Sequence, residues 1–438
     1  MDLGFAALPH SPRFAIVNTR VPAVLLSEFP DPPDGEGLAA VDIVVNDGVI
    51  ESVNPPGSQR DFPHVDLDWG MTWPTFVDMH THIDKGHIWP RQPNPDGTFD
   101  GAIEATHADR SARWSASDVS RRMDFSLRTA YAHGTSLLRT HLDSAPPQHR
   151  ISWPVFAEMR DKWADRIALQ AVSLLAIDHM QDATIADEIV DTVAEYGGVL
   201  GVVTFMVPDL DKTLDDIMRR AADRGLDLDF HVDESADPNA RSLHHIAEAA
   251  IRNNFPGRIV AGHCCSLARQ PEPDAEATMA RVAEAGISVV SLPMCNMYLQ
   301  GRRAGATPYW RGTTLVHELA ARDVPVAIAS DNTRDPFYAY GDMDMIEVLR
   351  EAVRILHLDH PIGGWADRIA KVPADIISDS DHGRIAIGRP ADLVLFRART
   401  WTELLSRPQA DRTVLRDGLA IDRTLPDYRE LDDLMGNA

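Results

Sequence analysis

Apolar and polar positions divide this chain into three stretches. Near the start, Phe14–Asn18 and Val41–Val53 alternate apolar and polar residues, the period-two signature of half-buried strands. Asn46-Asp47-Gly48, inside the second run, predicts a hairpin turn. Near the end, Ala391–Phe396 and Thr413–Ile421 repeat the style, with Asp417-Gly418 as the turn. Two such β segments predict one small lobe. Closing it across the chain costs entropy that grows only slowly with loop length.

The middle has a different rhythm. Eight short apolar runs recur, each followed by a stretch with helical spacing. The first four are Thr75–His82, Thr135–Asp143, Ile167–Ala176 and Val199–Val207. Leu226–Glu234, Arg258–Cys265, Ile287–Met294 and Pro325–Asn332 complete the set. Several intervening helical segments end at glycine. Eight β-then-α units predict the α/β class and a (β/α)8 TIM barrel. The expected division is residues 1–68 and 381–438 for the β lobe and 69–380 for the barrel.

Composition supports one well-packed soluble protein. Apolar residues make up 44% of the 438, enough for a sizeable core. Lys and Arg number 42 against 66 Asp and Glu, a net charge of −24. Such a surface repels phosphate backbones and anionic membranes, so neither nucleic acid nor membrane is an expected partner. Excess acidic charge is also simply a solubility feature. The three cysteines, Cys264, Cys265 and Cys295, show no disulfide or zinc spacing. The opening residues lack a basic start followed by an apolar run, and no apolar stretch approaches the roughly 18–20 residues of a membrane span. A cytoplasmic location is therefore expected. The expected partner is a small molecule, with a homo-oligomer compatible with everything read so far.

Chemistry-bearing residues cluster at the ends of the runs. His80 and His82 close the first, His141 and Asp143 the second, His231 and Glu234 the fifth, His263 the sixth, and Asp331 the eighth. In a barrel these ends meet at one mouth. Strand residues two apart point the same way, so His80 and His82 can both face the axis. With His231 and Asp331 they offer three imidazoles and a carboxylate, a set suited to Zn2+ or Fe2+ with room for water. A bound water can have its pKa lowered from ~15.7 to ~7. His263 and Asp331 are candidates to take its proton, and Glu234 to protonate a substrate; Glu234 as a plain loop carboxylate is the competing reading. The fourth run has no lysine to bridge two metals, so one divalent ion is expected. His179, His244, His245, His317, His357 and His360 fall in helical or loop contexts and read as exposed or packing residues.

These pieces resemble the amidohydrolase superfamily, most closely its cytosine-deaminase-like branch. The similar segments are His80–Lys85, Arg139–Asp143, His231–Ser235, Gly262-His263, Leu292–Arg302 and Ser330–Phe337, with Gly383–Phe396 similar to the superfamily's return into its β lobe. The resemblance runs in order over roughly residues 40–420. It implies hydrolytic deamination of an amino-substituted nitrogen heterocycle of aminopyrimidinone, pterin or aminotriazine type. On it, His80, His82, His231 and Asp331 would hold the metal. Glu234 would protonate a ring nitrogen, His263 would orient the water, and Asp331 would pass a proton to departing ammonia. Lys85, Gln300 and Phe337 fall where the substrate is contacted; Arg334 is a further candidate. Two departures bear on specificity. Leu174-Leu175-Ala176 stands where cytosine deaminases carry a glutamine, and Asn332 follows the metal Asp where they carry a second Asp. Asn332 is instead similar to aminotriazine (ammelide) hydrolases. A larger, less polar pocket than cytosine needs is expected around Ala176. Two rival classes are a cyclic amidohydrolase that opens a ring C–N bond and a non-catalytic metal-binding barrel.

Overall fold

The computed structural model describes every residue except 29, 60, 62, 378, 380, 409, 410, 437 and 438. The expected boundary at residue 380 therefore lies outside the described residues. The chain resolves into two compact units. The first comprises Met1–Asp78, Arg128–Leu137 and Met343–Pro426; the second comprises Met79–Leu127, Leu138–Asp342 and Asp427–Ala438.

In the first unit, Arg13–Pro22 and Leu38–Asn46 pair antiparallel, as do Leu38–Asn46 and Val49–Asn54. Asp47 (φ 48°) and Gly48 (φ 81°) both take positive φ at the tip, as the Asn-Asp-Gly signal requires of a tight hairpin. Asp417 (φ 48°) and Gly418 (φ 73°) do the same between Arg412–Arg416 and Leu419–Ala420. The two ends of the sequence meet in one sheet, because Leu393–Phe396 pairs antiparallel with Thr72–Pro74. They also share a core, in which Phe14, Ile16, Ile43 and Val45 pack with Ile385, Leu393, Leu395 and Leu415.

Eight further strands follow the eight apolar runs. They are β1 (Phe76–Thr81), β2 (Thr135–Asp143), β3 (Ala168–Leu174), β4 (Leu200–Thr204), β5 (Leu228–Val232), β6 (Ile259–His263), β7 (Ser288–Ser291) and β8 (Val326–Ile328). β1, β2 and β3 form one sheet; β4 to β8 form another, parallel and in sequential order. The seams between them are single parallel bridges rather than ladders. Val172↔Val199 and Ala176↔Val203 join the third and fourth runs, and Thr81↔Asp331 joins the first and last. The cyclic strand order with intervening helices is that of a (β/α)8 barrel accompanied by a β lobe. β7 and β8 are shorter than their runs. Pro293 opens a helix, Pro293–Leu299, at a first-turn position where the missing N–H costs nothing. The run after Ile328 leaves the ladder and supplies site residues instead. Among the described residues no helix is long and apolar enough to cross a membrane.

The first unit holds a buried ion pair. Arg412 donates from Nη1 to Asp344 Oδ1 at 2.8 Å and from Nη2 to Oδ2 at 2.7 Å, and Asp344 also caps the helix Met345–Leu356 through Ile346 N. Burial alone would raise the Asp344 pKa, but Arg412 and then His133 outweigh it and hold the carboxyl well below its usual range. Asp344→Asn is expected to cost ~3–5 kcal/mol in urea unfolding, the range for orphaning one buried charge. The native value lies below the unfolded ~3.9, so this contribution is complete above that value and disappears as acid protonates the native carboxylate. A loss below 1 kcal/mol at neutral pH would contradict this account.

Candidate active site

All the site residues belong to the second unit. His80 is on β1, with His82 just beyond its end; His231 is on β5 and His263 closes β6. Asp331 follows β8 and is tied to β1 by its backbone N–H, which donates to the His80 carbonyl at 2.9 Å. His263 (φ 67°) and Asp331 (φ 69°) adopt left-handed backbone, uncommon outside glycine and a conformation that costs of order 1–3 kcal/mol. The turn re-aims each side chain as its strand ends.

The four expected ligands converge. His80 Nε2 is 3.2 Å from His231 Nε2, which is 3.3 Å from His82 Nε2. Asp331 Oδ1 lies 3.1 Å from His82 Nε2 and 3.7 Å from His80 Nε2. A tetrahedron with metal–nitrogen bonds of ~2.0–2.1 Å has edges of ~3.4 Å, the scale of these separations; the groups whose candidate ligand atoms all lie within 4.8 Å of one another are His80, His82, His141 and His231, and His80, His263 and Asp331. The electronic state fits too. Burial first, then repulsion from neighbouring rings such as His141, pushes His80 and His231 well below the ordinary imidazole pKa; His82 is lowered by burial and then by Lys85. Neutral imidazoles carry the free lone pair that a cation needs.

Close packing fixes the first ligand. A Cβ on Gly262 would sit 2.9 Å from His80 Cε1. Glycine in the Gly262-His263 pair thus lets β6 pass under the His80 ring. His141, which closes the second run, joins this cluster as expected of that strand end: its ring centroid is 4.0 Å from that of His80, and its Nε2 is 3.4 Å from Asp229 Oδ1. Asp229 in turn accepts from Arg139 at 2.9 Å.

Glu234 sits on the turn after β5. Asp233, one residue earlier, anchors that turn by accepting from the backbone N–H groups of Ser242 at 3.1 Å and Leu243 at 3.0 Å and from the Ser242 hydroxyl. Burial, and then the nearby Asp331 carboxylate, raise the Glu234 pKa well above the ordinary carboxyl value. Burial lowers His263 to about 3, with His141 and Lys85 adding to it. Such a raised acid beside neutral imidazoles is the separation of roles that acid–base catalysis uses.

The site opens into a cavity of about 450 Å3, within the ~300–1,000 Å3 typical of small-molecule sites. His82, His231, Glu234 and His263 line it, and so do Lys85, Ala176, Asn332 and Phe337. Lys85 Nζ lies 4.8 Å from the Phe337 ring centroid and 3.9 Å from Asp143. Asn332 donates to Asp335 at 2.7 Å. Gln300 does not line the cavity; it donates from Nε2 to the Glu234 carbonyl at 3.1 Å. Arg334 is also outside the lining, with its guanidinium 4.1 Å from the Tyr428 ring centroid. A larger groove of about 800 Å3 in the first unit, among Val65, Arg397 and Glu403, carries none of this chemistry.

Several wall residues escaped the sequence reading. His179, read as exposed or packing, is half-buried on the cavity wall. Phe99, Ile103, Thr106, His107 and Arg110 come from one face of the helix Phe99–Arg113. Their spacing at positions 0, 4, 7, 8 and 11 is helical, but nothing in it says which surface the face covers. Arg110 holds Asp143 at 2.7 Å. Asp143 was visible at the end of its run; Arg110 carried no comparable signal.

Gly262→Ala is expected to displace the His80 ring and cut bound metal by at least about tenfold, the scale on which disturbing a metal's supporting shell is felt. Far-ultraviolet circular dichroism should stay unchanged, since Gly262 needs no positive φ. Full metal content in this variant would show that the ring has room to move.

Comparison with known proteins agrees with this geometry. A model described as the amidohydrolase family matches residues 157–421. A pterin deaminase of Rhizobium rhizogenes (strain K84 / ATCC BAA-868) is 58% identical over 437 residues, covering 100% of both chains. The crystal structure of 5-methylcytosine deaminase from Klebsiella pneumoniae liganded with 5-fluorocytosine is similar with a TM-score of 0.80 at 22% identity, covering 94% of this chain and 98% of that one. N-isopropylammelide isopropylaminohydrolase from Burkholderia multivorans gives a TM-score of 0.72 at 21% identity over 94% and 98% of the two chains. The chain belongs to the amidohydrolase family.

Proposed function

We propose that this chain is a metal-dependent hydrolytic deaminase acting on a pterin, a 2-amino-4-oxopteridine, with release of ammonia. The observation that carries the reading is that Glu234, its side chain only 11% exposed, lines the same cavity as His82 and His231 of a cluster that could hold a divalent cation. The 58%-identical pterin deaminase supports the bicyclic ring. So does the wall formed by Leu174, Leu175, Ala176 and Val203, which is apolar where a pyrimidine-reading side chain would be needed.

His80, His82, His231 and Asp331 would hold the ion, Zn2+ or Fe2+, which when bound supplies an acidified water as nucleophile. The remaining work belongs to the chain. Phe337 offers a face for the bicyclic ring, worth ~0.5–1.5 kcal/mol beyond burial. Glu234 gives its proton to the ring nitrogen beside the amine-bearing carbon, making that carbon electrophilic. The oxygen of water adds there. His263 orients that oxygen and offsets the charge it develops. Asp331 takes one proton from the water and passes it to the amine as the C–N bond breaks, and the oxygen's second proton returns to Glu234 as the new carbonyl forms. One water enters; one ammonia and a 2,4-dioxopteridine leave. Lys85 and Asn332 complete the substrate's polar surroundings. β4 contains no lysine, the residue that the two-metal arrangement of a ring-opening cyclic amidohydrolase would call for.

Elemental analysis of the purified enzyme is expected to find about one equivalent of Zn or Fe, the complement of a three-imidazole, one-carboxylate site. Two equivalents, both needed for turnover, would refute the single-ion site. Glu234→Gln should lower kcat by about 10²–10⁴-fold with metal retained. If the Gln variant keeps most of its activity, Glu234 is a loop carboxylate and the mechanism fails. In a panel, kcat/KM for 2-amino-4-oxopteridine should exceed that for cytosine by at least about tenfold, because a site lacking the pyrimidine's hydrogen-bonding partner loses that discrimination. Ammonia release without ring opening, followed by ultraviolet spectrum, separates deamination from cyclic amide hydrolysis. A cytosine preference would overturn the substrate reading.

A further inference from the structure

The proposed chemistry leaves one fully buried polar side chain of the site without a role. Asn296, on the helix Pro293–Leu299, is 0% exposed. Its Nδ2 lies 2.9 Å from His263 Nδ1 and 3.1 Å from Glu234 Oε1. Those two atoms are themselves 3.4 Å apart. A carboxamide nitrogen carries two hydrogens and can serve both: Glu234 Oε1 accepts one as the carbonyl oxygen of an acid whose proton sits on Oε2, and His263 Nδ1 accepts the other. The reversed amide would press its oxygen against the Glu234 oxygen.

The helix is built to hold this position. Gln300, the extended residue that closes this helix, binds the Glu234 carbonyl, so the helix and its cap grip Glu234 by side chain and main chain. Gly312 (φ +81°) lets the returning chain press on that helix: a Cβ there would lie 2.5 Å from Gln300 Cβ and 2.6 Å from the Asn296 carbonyl oxygen. The other ring nitrogen, His263 Nε2, is buried with no hydrogen-bond partner in the protein. The His263 ring lies beside those of His231 and His80, at centroid distances of 4.9 and 5.3 Å.

We propose that Asn296 is a positioning residue that fixes the tautomer of His263. By donating to Nδ1 it leaves the ring hydrogen on Nε2, so His263 meets the reacting oxygen as a hydrogen-bond donor and not as its base. The second amide hydrogen goes to Glu234 Oε1, which leaves the proton of the acid on Oε2 for the substrate's ring nitrogen. The water's proton then falls to Asp331. Such a donor stabilises charge as it grows on the oxygen, where preorganised N–H groups are most effective. This inference rests on the deaminase reading for its consequence, but not for its geometry.

Two measurements test it. In the zinc-loaded wild type, labelled with 15N-histidine, the His263 signals are assigned by their loss in His263→Gln. The expected spectrum shows a protonated Nε2 and a bare Nδ1. The opposite tautomer overturns the proposal, whatever the substrate. In Asn296→Asp the new carboxylate accepts only, drawing the hydrogen onto Nδ1 and crowding Glu234. Its kcat should fall by at least about 100-fold, the scale of a lost acid–base or electrophilic group. KM should stay within about threefold and metal content at the wild-type level, since the interaction is realised in the transition state. An Asn296→Asp enzyme with wild-type kcat overturns the proposal. If this variant fails to fold, the wild-type tautomer alone decides. Absence of ammonia release from 2-amino-4-oxopteridine by the wild type would sink the substrate reading, leaving the tautomer to be judged on its own.

Discussion

Four candidate ligand groups, each buried, meet within a few ångströms at the end of the strands. Three are imidazole nitrogens kept neutral by burial; the fourth is the Asp331 carboxylate oxygen. Bringing such groups together without a cation means desolvating polar atoms and setting imidazole nitrogens against one another, His80 Nε2 at 3.2 Å from His231 Nε2 and that atom at 3.3 Å from His82 Nε2. A divalent ion reverses that balance. The surrounding structure follows from the need to hold this convergence. Asp331 is bonded through its backbone to the carbonyl of His80, so the last strand's ligand is registered directly on the first strand's. Gly262 gives the His80 ring its space.

The same constraint explains where backbone regularity ends. β8 keeps only three residues in its ladder, and Asp331 then turns left-handed. β6 ends in the same way at His263. A regular strand alternates its side chains between faces, so it cannot aim consecutive functional groups at one point. Local strain at the strand ends aims His263 at the cavity and Asp331 at His80 and His82, and the packed barrel beneath supplies the stability that tolerates it.

Much of this was legible in the sequence, for a physical reason. Buried strands must be apolar, and a barrel brings all eight ends to one mouth. Histidines and carboxylates closing apolar runs therefore stand out at His80, His82, His231, His263 and Asp331. The hairpin at Asp47-Gly48 was legible because left-handed turns restrict residue choice. The walls were less so. Arg110 and His107 come from a helix whose inward face differs from an ordinary amphipathic face only by what it covers. His179 lies on a short 3-10 turn after β3, where no periodicity marks it. Asn296 was in a segment singled out for resemblance, but a lone asparagine does not declare that its amide will reach two partners from different strands.

Glu234 and Asp331 illustrate why the site works as a unit. They are like charges in a low-dielectric pocket, and each makes ionising the other harder; burial is the larger effect on Glu234, with Asp331 next. Left alone, this would simply favour the protonated acid. On the proposed reading, a cation held by Asp331 would attenuate the repulsion, so that loading the site and setting the acid would be one event. Lys85, buried on the cavity wall, draws Glu234 the other way. Glu234 is thus poised between an anionic neighbour that favours its proton and a cationic one that favours releasing it. That balance suits the proposed role, in which Glu234 would give a proton to a ring nitrogen and recover one before the next turnover.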